Sequence, residues 1–132
     1  MTPAFADKDQ GTARFQAKRE AILSAAAAVI NEQSAKGMTF ADVARRVGLN
    51  TTSVTYYFQR KEDLATACFS NTLDYLQNML SEAGGESTPE ARVAKVVSLN
   101  MARLARIEAG EESEFALLSD LRATDGKAKA FL

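Results

Sequence analysis

The 132-residue sequence has no histidine, no tryptophan, one cysteine and two prolines. Without histidine, the commonest metal ligand and the commonest general base are missing. The lone Cys68 forbids an internal disulfide. No nucleophile–base pair and no glycine-rich phosphate loop can be assembled from what remains, so neither an enzyme nor a cofactor is expected. Long apolar runs are also lacking: nothing approaches the ~20 residues needed to span a bilayer, and no membrane partner is expected. Positions 1–20 carry Asp7, Lys8, Asp9, Arg14, Lys18 and Arg19 in place of an apolar segment. That speaks against a secretory signal and for a cytoplasmic location.

What is present is ordinary in bulk and uneven in detail. A chain that is 46% hydrophobic and 25% charged suits one globular domain or two small ones. It should bury somewhat over ~60% of its unfolded surface. The net charge of -1 hides an asymmetry. Residues 8–61 hold nine Lys or Arg against four Asp or Glu, whereas residues 62–132 hold seven against twelve. The basic part is the candidate surface for a polyanion; simple solvation of helix faces is the plainer alternative.

Sparse glycines and a lack of strand-like alternation predict an all-helical chain. Residues 1–14, with Pro3 and Gly11, show no sustained period and are expected to form a flexible arm. A first helix is expected from about Phe15 to Ala35, its stripe being Phe15, Ile22, Ala26, Val29 and Ile30, widened by Leu23 and Ala25, with Gly37 ending it. Thr39 caps a short second helix, with Asp42 as capping-box partner and Phe40, Val43, Ala44 and Val47 inside. Gly48 closes it. Asn50 or Thr51 caps a third, anchored by Val54 and Phe58 and rich in polar groups at Thr51, Thr52, Ser53, Thr55, Tyr56 and Tyr57. A long connecting helix spans residues 61–83, with Leu64, Cys68, Tyr75, Leu76, Met79 and Leu80 on one face. Thr88 and Pro89 start a fifth helix reaching Glu108. Phe115, Leu117, Leu118 and Leu121 suggest a sixth that covers part of it.

Residues 39–58 carry the functional signal. Two short helices joined through Gly48-Leu49-Asn50 form a helix-turn-helix, whose second helix enters the DNA major groove. Ala44, four residues before Gly48, is small where the helices cross; Gly48 tolerates positive φ; Val54 fills the wedge between them. The second helix has no Lys, Arg or Gln, so it lacks bidentate reading of guanine by arginine. Asn50 is its only amide. Thr51, Thr52 and Thr55 offer methyls to thymine and hydroxyls to base edges, so specificity is shared with DNA shape. Lys61 and Thr39, each opening a helix, suit phosphate contacts. Arg45 and Arg46 on the outer side of the second helix, and Arg14, Lys18 and Arg19 before it, are candidate backbone contacts.

Arg19 with Ile22-Leu23, Ala25-Ala26 and Val29 precedes Thr39-Phe40-Ala41-Asp42-Val43-Ala44. Val47-Gly48-Leu49, Tyr56-Tyr57-Phe58 and Lys61-Glu62-Asp63-Leu64 follow. Over residues 19–64 this series resembles the N-terminal domain of the TetR family of transcriptional regulators. The resemblance implies a three-helix DNA-binding domain at residues 15–64, extended by the connecting helix, and a partial helical effector and dimerisation domain at residues 84–132. It also implies a ligand-responsive repressor that binds a palindromic operator in double-stranded DNA as a homodimer, with a small-molecule effector for the full-length regulator. By the same resemblance the Tyr56 and Tyr57 hydroxyls meet backbone phosphates. Thr52 and Thr55 stand where the family usually has a small residue and an aromatic. Arg60 stands where a Ser or Asn commonly caps the fourth helix, so a different cap is expected there. Family members continue through more helices than follow here, and a truncated regulator is expected, because the fifth helix has little cover and Ala130-Phe131-Leu132 carries no helix-stop signal.

Two rival readings remain beside this one. A helical protein-interaction module can use the helix-turn-helix as scaffold, with the basic first half and Lys61 favouring DNA instead. A metal site at Glu108, Glu111, Glu112 and Glu114 competes with a solvated helix junction, which the missing histidine favours. Cys68 reads as core.

Overall fold

A computed structural model describes residues 3–118, with side chains from residue 11 onward. Among them the fold is α1 (Pro3–Gly37), α2 (Phe40–Val47), α3 (Thr51–Tyr57), α4 (Lys61–Ala83) and α5 (Pro89–Glu108), with no strand. This is the expected all-α class. α1 packs on α4 and α2, α2 on α3, and α4 on α5. Ile22, Ala26, Val29 and Ile30 of α1 meet Val43, Val54, Leu64 and Phe69 in one core, each at most 2% exposed. Burying each of the larger side chains contributes about 1.5–3 kcal/mol.

The first helix differs from expectation at its start and inside its last turns. Residues 3–14, expected as an arm, are helical. Pro3 is tolerated at the first helical position, and Ala4, Ala6, Lys8, Gln10 and Ala13 are good helix formers. Residues 11–18 are exposed, so no apolar period marks this stretch. At the other end α1 stops at Gly37 as expected, but it is kinked at Ser34, whose φ of 70° and ψ of 162° lie outside the helical region. Its hydroxyl accepts from the Gly37 N–H at 3.2 Å and its carbonyl from the Met38 N–H at 3.1 Å. That turn drops Met38 into the core at 0% exposure.

α4 serves two partners, and its buried face shifts along its length. Leu64, Ala65, Cys68, Phe69 and Thr72 are buried, followed by Met79 and Ala83, whereas Leu80, expected inside, is 59% exposed. No sixth helix follows within the described residues. After Gly110 (φ 76°), residues 113–117 have no regular conformation, and Leu121 lies outside the described part. Asn31 Nδ2 donates to the Phe115 carbonyl at 2.9 Å, and the Leu117 N–H donates to Asn31 Oδ1 at 2.9 Å. Thr72 Oγ1 donates to the Ala116 carbonyl at 2.8 Å. These side chains satisfy backbone groups that a helix would have paired internally, and Ala116 fits beneath them at 1% exposure. The segment is a strap laid over α1 and α4.

Candidate nucleic-acid interface

The helix-turn-helix is assembled by local chemistry. Thr39 caps α2: its hydroxyl accepts from the Asp42 N–H at 3.1 Å and donates to Asp42 Oδ2 at 2.7 Å. The Asp42 carboxylate thus meets the Thr39 hydroxyl rather than its backbone N–H, a variant of the expected capping box. Gly48 ends α2 with φ 70° and ψ 28°, its N–H bonding toward the Arg45 carbonyl, while the Leu49 N–H reaches the Ala44 carbonyl at 2.9 Å. This αL closure turns the chain into Asn50, whose Oδ1 accepts from the Ser53 N–H at 2.8 Å and starts α3. Ala44 at 3% and Val54 at 0% exposure fill the crossing between the two helices.

This packing presents Thr51, Thr52, Thr55 and Tyr56 outward, all exposed, with Ser53 and Tyr57 half-buried. The Thr55 hydroxyl donates to the Thr51 carbonyl at 2.8 Å, leaving its methyl and oxygen lone pairs outward. Asn50 uses its carbonyl oxygen as the cap, so its amide hydrogens are what it can present to an acceptor.

The basic residues are less uniform. Arg14 and Lys18 are exposed on α1. Arg45, with a side chain 76% exposed, lies 3.4 Å from Asp42, and Arg46 pairs with Glu32. Lys61 opens α4, but its ammonium donates to the Lys36 carbonyl at the end of α1. Arg19 is half-buried, with its guanidinium 5.1 Å from the centre of the Phe58 ring. Arg60 is itself the cap residue of α4 and makes no side-chain cap bond. Glu62 and Asp63 in the first turn complement the helix dipole instead.

Sequence reasoning placed Phe15 in the core, yet it is 37% exposed and joins the end of α3. Its ring centre lies 4.8 Å from that of Tyr57 and 6.3 Å from that of Tyr56, and the two tyrosines stand edge to face at 5.3 Å. The counter-ions Glu32 and Asp42 were also missed. Asp42 lies three residues from Arg45 and was findable from helical spacing, whereas Glu32 meets Arg46 only through the α1–α2 crossing.

Elsewhere, one glutamate of the acidic junction after α5 meets two arginines. Glu112 lies 3.4 Å from Arg103 and pairs with Arg106. Among the described residues no cluster of His, Cys, Asp or Glu could hold a metal ion, and no helix is long and apolar enough to cross a membrane. Residues 22–68 match the family model of bacterial regulatory proteins, tetR family. No curated protein and no solved structure matches the chain.

Proposed function

Because residues 22–68 are a DNA-binding domain of the tetR family of bacterial regulatory proteins, we propose that this protein is a ligand-responsive repressor that binds a palindromic operator as a dimer. The observation that carries the DNA-contact assignment is the αL turn at Gly48, which leaves α3 with an outward row of Thr51, Thr52, Thr55 and Tyr56 beside the Asn50 amide. Asn50 and the threonines read base edges and thymine methyls; Ser53, Tyr56, Tyr57 and Thr39 contact the phosphate backbone. Arg14, Lys18, Arg45 and Lys61 neutralise about four phosphates per protomer. Arg46, paired with Glu32, is not counted among these four. Arg19 acts from beneath, through Phe58.

Fluorescence anisotropy with labelled mixed-sequence duplex DNA tests this reading. Log affinity should fall against log salt with a slope of about -3.6 per protomer, and about twice that for a dimer. Binding without a salt slope, or none at low salt, would reject it.

The effector lies in a groove of about 420 Å³ whose walls include Tyr75, Leu76, Arg103, Ile107 and Phe115. The groove combines apolar walls with the Arg103 guanidinium, which suits a largely apolar ligand with one acceptor group. A ligand filling this groove presses on α4 and changes the separation of two recognition helices, which must match half-sites about one DNA turn, ~34 Å, apart. A dimer partner would cover Val93, Val97, Met101 and Leu104, an apolar stripe on α5 that is 45–65% exposed. Sedimentation of the protein with and without operator tests the dimer; a compound that changes DNA affinity tests the groove.

A further inference from the structure

Phe15 lies outside the segment matched by the family model and outside the contacts assigned above, yet it touches the tyrosines assigned to the backbone. Tyr56 is 75% exposed, and a tyrosine so little enclosed has several rotamers available. Its ring meets Tyr57 edge to face, and Phe15 lies beside both, tilted by 33° over Tyr57 and edge-on to Tyr56 at 80°. One turn further along α1, Lys18 lines a recess with Leu49, Ser53 and the same two tyrosines. The first turns of α1 thus brace the end of the recognition helix.

We propose that Phe15 is a positioning residue for DNA binding: its ring holds Tyr56 and Tyr57 in the rotamers that point their hydroxyls at phosphate. The proposal rests on the DNA reading above. Immobilising an exposed side chain on binding carries an entropic penalty, and a ring already packed against its neighbours meets less of it. Removing Phe15 restores that freedom to both tyrosines without removing a charge or a donor. The expected signature is therefore weaker binding at an unchanged salt slope.

The experiment compares wild type, Phe15→Ala, Phe15→Leu and Phe15→Tyr on the same labelled mixed-sequence duplex across a salt series, with thermal melts to confirm the fold. Phe15→Ala should lose affinity about tenfold, the ordering penalty of two side chains. Phe15→Tyr keeps a flat ring and should bind like wild type, whereas Phe15→Leu, apolar but not flat, should resemble Phe15→Ala. In a Tyr56→Phe/Tyr57→Phe background, Phe15→Ala should cost less than about twofold, because the hydroxyls it positions are gone.

Wild-type binding with Phe15→Ala equally tight overturns the positioning role and leaves the DNA reading intact. A shallower slope in Phe15→Ala overturns it too, since Phe15 would then only keep Arg14 and Lys18 in reach. Full additivity with the tyrosine double variant has the same force. If wild type itself fails to bind at low salt, the DNA reading falls and takes the proposal with it.

Discussion

Cys68 is 2% exposed, and its Sγ donates to the Leu23 carbonyl at 3.6 Å. Burial pushes its thiol from an ordinary 9.0 up to about 12, against a smaller lowering by the Arg19 charge. The folded thiol therefore stays protonated where an unfolded one ionises. Between pH 9.0 and about 12 the unfolded chain binds fewer protons, so stability falls as pH rises through that window and is intact below it. The slope should be about 1.4 kcal/mol per pH unit. Urea unfolding of wild type and Cys68→Ala on either side of pH 9.0 checks this: the stability difference between them should narrow as pH rises. Native Cys68 should also resist a thiol-specific reagent that modifies it readily in urea.

The helix-turn-helix depends on two elements of different physical kind, the Gly48 turn and the Asn50 cap. Gly48 has φ 70°, and beyond its own chain neighbours nothing lies within 4 Å of where its Cβ would be. Gly48→Ala should therefore cost about 1–2 kcal/mol through the backbone alone, with no clash to relieve, as measured by denaturant unfolding. Asn50 caps α3 with its side-chain oxygen, which leaves its amide hydrogens for the base contact proposed above. Asn50→Ala should lose about 1 kcal/mol of stability together with DNA affinity. Asn50→Asp keeps the capping oxygen but replaces the donors with charge, so melting should hardly change while anisotropy shows weaker binding. An equal loss of both in Asn50→Asp would mean that the residue only caps.

Across the whole molecule, the strap joins parts far apart in sequence. Asn31 clamps Phe115 and Leu117, Thr72 holds Ala116, and Arg103 lies 3.7 Å from the Phe115 ring centre and 4.6 Å from that of Tyr75 while donating to the Ser113 carbonyl. Through these contacts α1, α4 and α5 share one lock. Asn31→Ala removes both clamp bonds, which should cost about 0.5–1.5 kcal/mol each, since the exposed Leu117 N–H can turn to water. Limited proteolysis should then cut within residues 113–117 faster than in wild type.

Composition, periodicity and caps were enough to place α2, α3, α4 and α5, because each is bounded by a local stop or start: Thr39, Gly48, Asn50, Gly84 and the Thr88-Pro89 pair. The outward row of α3 was legible too, since one buried valine sets the face of a seven-residue helix. The helical start of α1 was not, because it makes no apolar stripe, and neither was the kink at Ser34, a residue with no intrinsic preference for positive φ. Phe15 reads as core on helical spacing alone; only the approach of α3 turns it into a brace for Tyr56 and Tyr57. Lys61 and Arg46 show the same limit. Their charge was plain from the sequence, while the Lys36 carbonyl and Glu32 that hold them became neighbours only through tertiary packing. Local stereochemistry determined which segments are helices. Which side chains face solvent, a counter-ion or one another was decided where those helices cross, because contacts between distant residues exist only after the core has formed.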